Sequence, residues 1–163
     1  MTIMSDFRKK PIDWKATLAS GIVSGLVFYL SNIFLTPIFV GGNEWLMVRL
    51  MASPVLGETV LAPQTVFSGS ALLVSMLTTL ALGLVFAAII AVVIHRGGLM
   101  TGIWGGAALG LALYAINFYT LTLWFPWFFA FNSGLMVLLH LFFGAVAGGV
   151  YEALEEEQFQ SPS

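Results

Sequence analysis

Cysteine is absent from all 163 residues, so disulfides, thiolate metal sites, iron–sulfur clusters, covalently attached haem and cysteine nucleophiles are excluded together. Charge is scarce as well. Asp, Glu, Lys and Arg make up 9% of the chain, against about 25% in ordinary soluble domains. So little charge excludes a disordered chain, a nucleic-acid-binding surface and an ordinary cytosolic domain. What remains is apolar: 59% of residues are hydrophobic and the mean hydropathy is +0.96. That composition predicts an all-α integral membrane protein whose first partner is the lipid bilayer.

A membrane-crossing helix needs about 20 apolar residues at a rise of 1.5 Å each. Three uncharged runs meet that need: Ala16 to Gly42, Thr59 to Ile94, and Gly97 to Tyr151. The first two hold one span each. The third would make a helix of about 80 Å, far more than the roughly 30 Å of hydrocarbon, so it must fold back on itself. The turn is expected at Phe125-Pro126-Trp127 through Asn132-Ser133, where a proline, aromatic anchors and a helix cap coincide. The expectation is one membrane domain, a four-helix bundle over residues 1–163, with spans at 16–37, 70–94, 100–123 and 133–152. An outer loop at 38–69 and an acidic tail at 153–163 complete it.

Arg8, Lys9, Lys10 and Lys15 precede the first span, Arg96 follows the second, and only Arg49 falls on the other side. By the positive-inside rule both termini then face the cytoplasm, as in a bacterial inner (plasma) membrane. The first apolar run is too long for a signal-peptide core and has no small-residue cleavage site before Pro37, so it is expected to be retained as an anchor. Trp14 and Trp104 fall at inner span ends, and Trp45, Trp124 and Trp127 at the outer level, where aromatic belts sit.

The chain also matches itself. A shift of 85 aligns Gly21 with Gly106, Gly25 with Gly110, Leu26 with Leu111, Tyr29 with Tyr114 and Asn32 with Asn117. A weaker shift of 61 aligns Thr79 with His140 and Gly83 with Gly144. Two tandem helical hairpins, related by an axis along the membrane normal, would produce this pattern. Small-residue stripes run along the spans as glycine zippers: Gly21 and Gly25 in the first, Gly102, Gly106 and Gly110 in the third, Gly144 and Gly148 in the fourth. Such stripes serve either contacts inside the bundle or docking of another protein or a second copy.

Asn32, Thr79, Asn117 and His140 fall at similar depth and form the one candidate polar layer. It reads either as interhelical hydrogen bonding or as a small polar pocket opening outward, in which His140 would bond a ligand or take a proton. No catalytic, cofactor-binding or metal-ligating set is expected. His95 and His140 lie too far apart in depth to share a haem, and no span carries the carboxylates a metal would need. In the outer loop, Asn43-Glu44 is expected to cap a short helix ending before Pro54 and lying at the membrane interface or on a partner. Arg49 is expected to snorkel or to pair with Glu44 or Glu58.

Gly21, Gly25, Pro126-Trp127, His140 and Glu152 together resemble the pattern of YagU-type small inner-membrane proteins. That resemblance implies four spans and carries no established activity. The leading functional expectation is a non-enzymatic accessory or structural subunit of a larger membrane complex, its partners being other membrane subunits or itself, not nucleic acid. The alternative is a small oligomeric transporter or channel for a neutral or weakly basic solute.

Overall fold

The computed structural model describes residues 12–95 and 97–155, and among these every regular element is a helix, with no strand. Arg8, Lys9, Lys10, Arg96 and most of the acidic tail, Glu156 and Glu157 included, lie outside the described residues. Five α-helices follow one another: α1 Trp14–Phe39, α2 Glu44–Leu56, α3 Gly69–Ile94, α4 Leu99–Ala115 and α5 Gly134–Leu154. Beyond α4 the helix continues through a π turn, Ile116–Thr120, and a 3₁₀ turn, Leu121–Leu123. A further 3₁₀ turn, Pro126–Phe131, leads into α5. Four helices are long and apolar enough to cross a membrane: α1, α3, α5 and the continuous segment Leu99–Leu123.

All the α-helices but α4, which follows Gly98, start where a side chain serves their free N–H groups. Asp13 accepts from the amides of Lys15 and Ala16 at 2.9 and 3.0 Å. Asn43 serves Leu46 at 2.9 Å, Ser68 serves Ala71 at 3.3 Å and Ser133 serves Met136 at 3.4 Å.

Prolines mark two departures from expectation. α1 runs past Pro37 to Phe39, and the Thr36 carbonyl then accepts from Val40 and Gly41. Gly41 and Gly42, with φ of 106° and 90°, turn the chain in a region that favours glycine. α2 likewise runs through Pro54 instead of ending before it. Pro54 has no N–H for the Leu50 carbonyl, and the Ser53 hydroxyl donates to that carbonyl at 2.7 Å instead.

The packing order across the bundle is α3, α1, α5, α4, with α2 laid over one end against α1 and α3. At the opposite end Ala16, Ile94 and Tyr151 meet in one buried cluster, which brings together the start of α1, the end of α3 and the end of α5. The outward face is apolar: Leu18, Ile22, Leu30 and Phe34 of α1 and Leu73, Leu77 and Val85 of α3 are exposed. The inward face of α1 is small and polar, with Thr17, Ser20, Gly21, Ser24 and Gly25 buried. This inverts the pattern of a water-soluble bundle and suits a surrounding of lipid.

Glycine governs how closely the spans approach. A Cβ on Gly106 would meet the Gly144 carbonyl oxygen, one on Gly110 the His140 carbonyl oxygen, and one on Gly148 the Gly102 carbonyl oxygen. α4 and α5 are therefore in backbone-to-backbone contact along this stripe. α1 and α3 meet in a looser version, with a Cβ on Gly83 lying 3.1 Å from both the Gly21 carbonyl oxygen and the Gly25 Cα. Where lipid tails compete equally well for apolar side chains, such close approach supplies the van der Waals contact that favours association.

Gly144→Ala should force α4 and α5 apart and cost about 1–3 kcal/mol, the usual range for overpacking a tight interface. Gly134→Ala, at a glycine with open space around it, should change stability by less than about 1 kcal/mol. Thermal unfolding of the two purified variants in mild detergent tests this, and equal midpoints would contradict the packing described.

Candidate functional site

The site is built outward from His140. Ser133 caps α5, and the Tyr114 hydroxyl donates to Oδ1 of Asn132 just before it, which ties the start of α5 to α4. His140 Nδ1 lies 2.7 Å from the Met136 carbonyl oxygen. A carbonyl only accepts, so Nδ1 carries the proton and Nε2 is the acceptor of a neutral imidazole. Asn117 Nδ2 donates to that Nε2 at 2.9 Å. The rings of Phe28, Tyr114 and Phe118 stand edge-on around the imidazole, with centroids 4.9, 5.7 and 6.0 Å away. His140 is 5% exposed.

Asn117 and Phe118 both sit in the π turn, a wider turn that is often found at functional positions. Asn117 Oδ1 is buried and has no hydrogen-bond partner. Of the other two residues of the polar layer, Asn32 keeps to its own helix, its Nδ2 donating to the Phe28 carbonyl at 3.0 Å, and Thr79 Oγ1 reaches across to Met51 Sδ of α2 at 3.7 Å. Of the four, only Asn117 and His140 bond each other across helices.

All four nevertheless line one cavity of about 330 Å³, contributed by α1, α3, the π turn and α5. Such a volume is at the lower end for sites that hold a small molecule. Apart from these residues and Thr78 the wall is apolar, with Phe28, Phe86, Phe118 and Phe143 prominent. The chamber is thus an apolar pocket with a few uncharged hydrogen-bonding groups.

Over the cavity lies a roof. α2 contributes Met47, Leu50, Met51 and Pro54, and the aromatic segment before α5 contributes Phe125, Phe128 and Phe131. Trp127 Nε1 donates to Ser53 Oγ at 2.8 Å and joins the two halves. Arg49 secures α2 from the other side. It is 6% exposed, and instead of reaching Glu44 or Glu58 it donates to the Val60 carbonyl at 2.7 Å and twice to the Val66 carbonyl at 2.7 and 3.3 Å. The returning loop offers carbonyls where a carboxylate would have to be desolvated, and a buried guanidinium needs full hydrogen bonding above all.

His95 stands apart, at the C-terminal cap of α3 beside the cluster of Ile94 and Tyr151. About 16 Å of α5 separates the level of Tyr151 from His140, so the two histidines share no site. Among the described residues no group of three His, Cys, Asp or Glu side chains is placed to hold a metal. The glycines of α4 and α5 face each other within the hairpin and line no part of the cavity, whereas Gly83 of α3 does.

Sequence reasoning missed the roof and the aromatic cage. Met47, Leu50, Met51 and Pro54 recur at helical spacing, which signals one apolar face but not its target. The π turn leaves no comparable trace. Compared with family models, with curated proteins and with solved structures, the chain matches none.

Nitrogen-15 spectra of histidine-labelled protein, assigned with a His95→Gln variant, should give a protonated Nδ1 and an unprotonated Nε2 for His140. Asn117→Leu should then move the Nε2 resonance far more than the Nδ1 resonance. A proton found on Nε2 would reverse the hydrogen-bond direction assigned here.

Proposed function

We propose that the protein is a small membrane carrier that binds one neutral, largely apolar solute inside the bilayer. The observation that carries this reading is the convergence of Asn32, Thr79, Asn117 and His140, from four separate segments, on a single apolar cavity of about 330 Å³. An apolar chamber with a few hydrogen-bonding groups is the usual form of a small-molecule site. The uncharged wall disfavours ions, because no full charge is there to replace their hydration. A carrier fits better than an open channel, since the roof covers one end and the glycine contacts of α4 with α5 close the other half.

The accessory-subunit reading drew on glycine stripes as docking faces. Those of α4 and α5 are used against each other, which favours the contacts-within-the-bundle reading of the stripes. The orientation we propose, with both termini cytoplasmic in a bacterial inner membrane, rests on Lys15 and the other basic residues of the N-terminal segment. Duplication of a helical hairpin is supported by equivalent contacts: Gly83 approaches Gly21 and Gly25 as Gly144 approaches Gly106 and Gly110, the residues that the two shifts align.

Native mass spectrometry of the protein in nanodiscs made from its source membrane tests the proposal. A small molecule should be retained at one per chain and released by solvent extraction. Thr79→Phe should abolish retention by filling the chamber, and Asn117→Leu should weaken it about tenfold, the worth of one hydrogen bond of roughly 1.4 kcal/mol. An empty wild-type chain, or one held at fixed ratio by a second membrane protein, would defeat the carrier reading.

A further inference from the structure

We infer that the cavity is filled sideways from the bilayer, through the gap between α3 and α4, by a molecule with an apolar chain and a hydroxyl at its head. This rests on the pocket reading above and adds the route and the chemical class. Three contacts hold the bundle, α3 with α1, α1 with α5 and α5 with α4, while α3 and α4 pack sparsely. They converge at the connecting turn, where a Cβ on Gly105 would lie 3.2 Å from Ile94. Towards the roof the cavity is lined by Leu82 and Phe86 of α3 and by Asn117 and Leu121 of the π and 3₁₀ turns that continue α4.

Leu82 marks the mouth. It is 43% exposed, whereas the other lining residues are buried or half-buried. Leu82 lies in the middle of a helix long enough to span the membrane, so the opening faces acyl chains and not water. The route from the end of the bundle is covered by the apolar roof, which Trp127 and Ser53 hold shut. A water-borne solute would have to lift that roof; a solute dissolved in the bilayer meets an open side.

The head group follows from the free hydrogen-bonding capacity. His140 has spent both nitrogens, on Met136 and Asn117, and Asn32 has spent an amide proton on Phe28. The amide oxygens of Asn117 and Asn32 are the acceptors left over in the lining, and an acceptor in an apolar wall calls for a donor. A hydroxyl satisfies it without a charge, and the phenylalanine-rich wall takes the chain.

The absence of native cysteine permits a direct test on the whole protein folded in nanodiscs. The probe is a long-chain alcohol bearing an alkyl diazirine, dissolved in the lipid. Two double variants are compared before and after bridging with a bifunctional maleimide: Leu82→Cys with Leu121→Cys across the gap, and Ser53→Cys with Trp127→Cys across the roof. Because bridging follows folding, the unbridged form of each variant reports whether the fold survived.

Photolabelling of Phe118 and Met136 should fall to background when the gap is bridged and persist when the roof is bridged. Loss on bridging the roof alone, or on neither bridge, would overturn the lateral route while leaving the pocket reading intact. Labels confined to lipid-facing residues such as Leu77 and Leu138 would overturn the inference. The pocket reading would then stand or fall on whether a small molecule is retained by the native protein.

Discussion

Backbone contact between α4 and α5 is the constraint on which the rest of the molecule depends. In lipid, apolar side chains gain little by meeting one another, so helices associate where main chains can come close. Gly102, Gly106 and Gly110 against Gly144 and Gly148 make that approach possible. It fixes the level of α5 relative to α4, and with it the meeting of His140 with Asn117. A sideways shift of one helix by a single methyl would uncouple that pair.

The same economy of side chains explains why a cavity exists at all. Small residues close the half of the bundle near the 95–98 connection, where Ala87, Ala91 and Ala147 are fully buried. Towards the other end Phe28, Phe118 and Phe143 stand between the helices. Rings hold helices apart but fill the interval incompletely, because their flat faces meet at 73–76° around His140 and Phe28. The four-segment chamber is the space left between a tight half and a propped half.

Many polar groups inside this frame are given a neighbour within the protein, since lipid offers none. Tyr29 bonds Ser75 at 2.8 Å, Ser24 returns a hydrogen bond to Ser20 at 2.7 Å, and Trp127 bonds Ser53. Even the charge of Arg49 is absorbed by two carbonyls of the loop that folds back over α2. Ser20 Oγ, Thr36 Oγ1 and Asn117 Oδ1 are buried without a partner, and of these three residues only Asn117 lines the chamber.

The membrane character, the number of long apolar helices and the glycine stripes were legible in the sequence, because they are local consequences of composition and of the 3.6-residue period. So was the common depth of Asn32, Thr79, Asn117 and His140, which follows from counting turns. What those residues do with that depth was not legible. Whether Gly106 meets Gly144 or a foreign helix, whether Met47 and Leu50 face lipid or a chamber, and whether Arg49 finds a carboxylate or a carbonyl depend on which segments become neighbours. That choice belongs to the tertiary structure, since it is decided by contacts between residues as distant in sequence as Ser53 and Trp127.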